Sequence, residues 1–212
     1  MMTVAMNTPA IPARHPPEEL LLDCATGALS AAEALLIGQH AARCPACRRA
    51  LALLEATGGS LLNAAEPAWL PPAMLNRMLA AIERRGAQAG APGSSAAARS
   101  PSGAWRAIPG GYGMRRIACD DDTGRVWLIK APGGKGLLRH RHVGDEWTVV
   151  VKGAFIDETG RYAAGDFVRL DDGVEHQPMA ERGEDCVCLI LIRKAPRYTT
   201  VIGKLAAPFL RV

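Results

Sequence analysis

Two groups of residues in this 212-residue chain have the types and spacing to hold metal ions, and together they take in all five histidines. The first is His15, His40, Cys44 and Cys47. His40-x3-Cys44-x2-Cys47 offers three ligand atoms within eight residues, and separations of four and three put side chains on one face of a helix. Two thiolates and an imidazole suit the tetrahedral S/N coordination of zinc, which His15 can complete from upstream. A bare Cys-x2-Cys also fits a redox pair, but such a pair follows a strand, and the sequence before Cys44 reads as helix.

The second group is His140, His142, Glu146 and His176. Alternation along a strand puts His140 and His142 on the same side. Glu146 follows a turn at Gly144-Asp145, and His176 follows Gly173. Three imidazoles and a carboxylate suit a divalent ion, with zinc the first expectation and iron, manganese and nickel the alternatives. Cys186-x-Cys188 places two thiols on one face of a later strand, awkwardly spaced for a bond. They read as small buried hydrophobes or, beside a metal, as a target for oxidants. Cys24 and Cys119 have no evident partner and read as structural.

The elements that must position these groups differ between the two halves. Pro17 and Gly27 bracket a first helix, and Ser30-Ala-Ala-Glu33 is a capping box opening a second that runs to about His40. Pro45 opens a third, expected to stop at Gly58-Gly59. After Pro71-Pro72, the residues Met74, Leu75, Met78, Leu79 and Ile82 form an apolar stripe at helical spacing. Residues 86–103 are small, polar or turn-forming and read as a flexible linker, spanning roughly 23 Å as a coil. The halves are therefore expected to be tethered rather than fused. From Trp105 onward, short β-rich runs (126–130, 147–151, 166–170 and 187–192) alternate with Gly and Asp turns, as in a small antiparallel barrel or jelly roll.

Composition narrows the function classes. Residues 1–85 hold seven Arg against seven Asp plus Glu, and the whole chain carries a net charge of only +4, so no dense basic stripe for nucleic acid is present. No apolar run approaches the ~20 residues of a membrane span. Met1–Arg14 lacks the pattern of a secretory signal, so a reducing cytoplasm is expected.

His-x24-His-x3-Cys-x2-Cys in a short helical segment resembles the zinc-binding anti-sigma domain, over about residues 12–85. Gly134-x5-His140-x-His142-x3-Glu146-x6-Gly153 reproduces the first cupin motif. Gly165-x7-Gly173-x2-His176 resembles the second, with Asp171 where proline is usual and Ala180 where asparagine often stands. Zinc helices, a linker and a cupin in this order resemble the ChrR-type anti-sigma factors. The resemblance implies an α + β multidomain chain: an all-α zinc-binding domain (12–85), a linker (86–103), an all-β cupin barrel (104–195) and a C-terminal extension (196–212). It further implies a non-enzymatic regulator that grips an extracytoplasmic-function sigma factor through the stripe Met74–Ile82. The cupin would then sense singlet oxygen or an organic hydroperoxide, and it offers a face for homodimerisation. The alternative is a cupin metalloenzyme, of dioxygenase or isomerase type, with a helical zinc-binding appendage.

Overall fold

The protein is described by a computed structural model, which covers residues 11–89, 104–118 and 123–200. Most of the expected linker, Cys119 and the last twelve residues lie outside the described residues.

Four helices come first: α1 (Glu18–Thr26), α2 (Ala31–Ala41), α3 (Pro45–Ala64) and α4 (Pro72–Ala89). Helix α1 ends at Gly27, whose φ of 74° is the left-handed conformation that glycine adopts without strain. The capping box forms as expected: the Ser30 hydroxyl accepts from the Glu33 N–H while the Glu33 carboxylate accepts from the Ser30 N–H. Helix α3 does not stop at Gly58-Gly59 but continues to Ala64. Its two glycines lie on an open surface where no neighbour constrains them, and Thr57 and Ser60 hydroxyls donate to the carbonyls of Leu53 and Ala56. Helix α4 likewise continues through Gly86 to Ala89, four residues into the stretch expected to be linker.

Twelve strands follow among the described residues. A six-stranded sheet has the order β1 (Arg106–Ile108), β2 (Tyr112–Ile117), β3 (Arg125–Ala131), β11 (Cys186–Ile192), β5 (Glu146–Lys152), β8 (Phe167–Leu170). A second sheet has β10 (Met179–Ala180), β6 (Ala154–Asp157) and β7 (Gly160–Ala163), and a third has β12 (Arg197–Tyr198), β4 (His140–Arg141) and β9 (Glu175–His176). Every pairing is antiparallel. Because β12 pairs with β4, setting Tyr198 opposite His140, the barrel takes in residues beyond 195.

The two halves are not merely tethered. Side chains of β11 alternate between two cores: Cys186, Cys188, Ile190 and Ile192 face the barrel interior, whereas Leu189 and Leu191 face outward. That outer face, with Val126, Trp147, Val149 and Phe167, packs against Leu20, Leu21, Ala32, Leu36 and Ile37 of α1 and α2 in one continuous core. Leu36, Ile37 and Leu191 are fully buried there, each worth about 1.5–3 kcal/mol of transfer free energy. A polar clasp lies beside this core. Arg193 donates to Glu33 (2.5 Å) and to Asp145 (3.1 Å), and the Ser30 and Thr123 hydroxyls meet at 2.9 Å. A six-stranded sheet that is apolar on both faces has to be covered on both, and the helices supply the second cover.

Candidate metal centres

The N-terminal group forms where α2 ends and α3 begins. His40 lies in the last turn of α2; Cys44 caps the N-terminus of α3, and Cys47 lies one turn further on. Pro45 at the first helical position sets this junction. The Cys47 N–H donates to Cys44 Sγ at 3.4 Å. His15 arrives from the segment before α1. The four ligand atoms all lie within 4.8 Å of one another. The nearest approaches are His40 Nε2 to Cys47 Sγ at 3.2 Å and His15 Nδ1 to Cys44 Sγ and Cys47 Sγ at 3.4 and 3.5 Å. A tetrahedral zinc site with usual bond lengths has N···S edges of about 3.6 Å, so the donors are arranged almost as the ion needs them. His40, Cys44 and Cys47 are buried and His15 is exposed.

The protonation chemistry points the same way. Burial, reinforced by Cys44, pushes the Cys47 thiol up to about 12, and burial holds His40 below the usual histidine range. His40 Nδ1–H donates to the Gly165 carbonyl at 2.7 Å, which leaves Nε2 as the free lone pair. A set of two sulfurs and two ring nitrogens, three of the four residues buried, fits a soft divalent cation that would take the thiols as thiolates.

The second group gathers inside the barrel. His140 on β4 pairs directly across the sheet with His176 on β9, and the rings of His140 and His142 stack at 5.2 Å. His140, His142 and His176 present nitrogens within 4.8 Å of one another, with Nε2···Nε2 distances of 2.9 Å (His142 to His176) and 3.2 Å (His176 to His140). His140 Nδ1–H donates to the Leu138 carbonyl (2.8 Å), and His176 Nδ1–H donates to Asp157 (2.7 Å). Desolvation holds His140 down to about 4 and His142 to about 3, so both rings are neutral at pH 7. With Nδ1 donating to Leu138, the lone pair of neutral His140 lies on Nε2, facing His176 Nε2 across 3.2 Å. The buried Nδ1 of His142 has no hydrogen-bond partner among the described residues. This donor set can hold a metal ion.

Glu146 stands apart from the three nitrogens. It opens β5 on the wall of the same cavity, where Thr148 donates to it at 3.4 Å and burial pushes its carboxyl up to about 7. The cavity holds about 460 Å³ and is mostly apolar; His140, Glu146, His176, Cys186, Cys188 and Tyr198 are among its lining residues. Cys186 and Cys188 bring their sulfurs to 3.7 Å, unbonded, with Cys186 lowered by its partner's hydrogen bond and Cys188 raised by the same pairing and by burial. Cys24 is a half-buried free thiol on α1.

Asp157 was not singled out from the sequence. Burial alone would raise its carboxyl, but hydrogen bonds from His176 and Thr159 outweigh that and hold it below the usual range. The neighbouring Glu158-Thr-Gly160 reads only as a turn; that Asp157 also orients His176 depends on pairing 19 residues away.

The stripe Met74, Leu75, Met78, Leu79 and Ile82 lies on α4, and each of its residues is exposed, Ile82 at 64%. Leu61, Leu62 and Trp69, between 71% and 81% exposed, extend the bare apolar surface along the end of α3 and the connection to α4. Among the described residues no single helix is long and apolar enough to cross a membrane.

Two helices and the segment before them gather two histidines and two cysteines, and the antiparallel barrel they pack on gathers three more histidines, so the chain carries two candidate metal centres. The profile of the ChrR cupin-like domain matches residues 94–195. The anti-sigma-E factor ChrR of Cereibacter sphaeroides is 35% identical over 210 residues, covering 93% of this chain and 98% of that protein. The crystal structure of Rhodobacter sphaeroides SigE in complex with the anti-sigma ChrR contains a chain 34% identical, with a TM-score of 0.69 over 84% of this chain and 98% of that one. This chain belongs to the ChrR anti-sigma factor family.

Proposed function

We propose that this protein binds an extracytoplasmic-function sigma factor in the cytoplasm and holds it inactive, acting as a regulator rather than an enzyme. The observation that carries the reading is the bare apolar face of α4 and the end of α3, in a family with a solved member complexed with SigE. Methionine-rich helical faces suit a partner surface to which they must adapt. In this reading His15, His40, Cys44 and Cys47 hold zinc and fix the angle between α2 and α3, so that the grip is presented. His140, His142 and His176, with Glu146 as a fourth donor, hold a divalent ion in the barrel, zinc before iron, manganese or nickel. An oxidative signal, singlet oxygen or an organic hydroperoxide, acts at that centre or at Cys186 and Cys188 and releases the sigma factor. The barrel also supplies the face through which two copies would pair, and no nucleic acid or membrane is a direct partner.

Co-purification of the full chain with a sigma factor of this class tests the proposal. The double variant Met78→Asp, Leu79→Asp should weaken the complex about 30-fold or more, the scale of interface hot spots, without lowering the melting temperature, because both side chains are exposed. Retained binding in that variant would sink the assignment of the face. A second reading, a cupin metalloenzyme with a helical appendage, draws on the cavity beside three histidines, which leaves room for a bound molecule at the ion. Turnover of a small molecule by the metal-loaded chain, unaffected by the α4 variants, would favour it.

A further inference from the structure

The turn between β7 and β8, Gly165–Asp166, belongs to the barrel, yet it holds His40 and the arm that carries His15. The Gly165 carbonyl accepts from His40 Nδ1 at 2.7 Å. Asp166 is buried, and its Oδ1 accepts from the Ala13 and Arg14 N–H groups at 2.7 and 3.0 Å, immediately before His15. The Phe167 N–H then donates to the Arg14 carbonyl at 3.0 Å, so the N-terminal arm lies along the edge strand β8. Pro12 packs against Gly165 so closely that a Cβ there would lie 2.6 Å from the Pro12 ring, and the Arg14 guanidinium lies over the Tyr162 ring. Asp166 Oδ2 is in turn fixed by the Ala163 N–H at 2.8 Å.

We propose that Gly165 and Asp166 are positioning residues for the N-terminal metal centre: the barrel, rather than the helices alone, sets where His15 and His40 stand. The arm before α1 has no helix to order it, and its three main-chain bonds to this turn are what bring His15 to the two cysteines. The same hairpin reaches the second centre, because β6 ends at Asp157, which holds His176, and β6 pairs with β7 just before the turn. One β-hairpin thus contacts a ligand of each centre, and a shift of it in the barrel is transmitted to the His40 and His15 side of the zinc group. This deepens the anti-sigma reading by naming the contact between sensing and gripping halves, but its geometry stands without any sigma factor.

The test uses the full chain loaded with cobalt(II) in a Cys186→Ser, Cys188→Ser background, where thiolate-to-cobalt absorption reports the N-terminal centre. Asp166→Ala should shift and weaken those bands and speed metal loss to a chelator about tenfold, within the usual range of site coupling. Asp166→Asn, whose amide oxygen still accepts from the arm but whose other end cannot accept from Ala163, should fall between. Removal of residues 1–13 leaves all four ligands and the whole barrel in place and should reproduce the Asp166→Ala spectrum. Linkage requires the converse: Cys44→Ser should quicken hydrogen exchange at the Phe167 amide. Unchanged bands and release rates in both Asp166→Ala and the deletion would overturn the proposal, and the deletion decides alone if Asp166→Ala does not fold. Loss of sigma binding enters none of these readouts, so a failure here is distinct from a failure of the functional reading.

Discussion

At the N-terminal centre four donors close around one point, two of them sulfur, and the ring nearest the barrel is pinned by a barrel carbonyl. At the barrel centre three nitrogens converge, the His140 and His176 rings on the wall of a 460 Å³ cavity, and the Glu146 carboxylate lies on that wall outside their group. A closed set leaves an ion nothing further to bind and so serves shape, whereas a set opening onto a cavity leaves positions for an incoming molecule. In the proposed reading this difference gives holding to one centre and responding to the other, although both rest on the same barrel.

The largest effect that would break this contrast is expected from Cys44→Ser, Cys47→Ser. Without thiolates the first centre loses its ion, the α2–α3 junction loosens, and inhibition of a sigma factor should vanish; a metal-free double variant that still inhibits would remove the structural role. His140→Ala should act the other way round, abolishing metal at the barrel and the response to oxidant while leaving inhibition intact, as read by sigma-dependent transcription before and after treatment. Asp157→Asn tests the support rather than the ligand: it should lower metal affinity at the barrel by 10–100-fold, measured by competition with a chelator, with the N-terminal zinc retained.

The smallest effect concerns Glu146. In metal-free protein its carboxyl is raised to about 7 against an ordinary 4.5, so the folded state holds a proton that the unfolded state loses between those values. Stability from this group is therefore present below pH 4.5 and lost as pH rises through 7. Glu146→Gln should stabilise the metal-free chain at pH 8 by about 1–3 kcal/mol, the gain fading toward pH 4.5, as followed by thermal melts. His140 and His142, held down to about 4 and 3, contribute with the opposite sign, and their part is lost as pH falls below 6.5. If the metal-loaded chain instead loses affinity in Glu146→Gln, the carboxylate belongs with the nitrogens after all.

Much of this was legible from spacing. His40, Cys44 and Cys47 are local to one helix junction, and the capping box at Ser30 needs only four residues to declare itself. The end of α3 was misread because glycine is a poor helix former in general, whereas Gly58 and Gly59 sit on an open face where nothing forces the chain to turn. The joining of the halves also had a signal. Val187–Ile192 and Trp147–Val151 are apolar without alternation, the pattern of strands buried on both sides, and only the interior side was assigned a cover. Asp157 and Asp166 were out of reach, since their partners lie 19 and more than 150 residues away.

The packing of Leu36 and Ile37 against Leu189 and Leu191 has a consequence for how the chain may be taken apart. A protease nick in the segment between α4 and β1 would yield two fragments that stay associated and complement each other, rather than two free modules. Transplanting the helices onto an unrelated barrel would fail for the same reason: the graft would arrive with its greasiest surface bare, and the donor barrel would be left insoluble behind it.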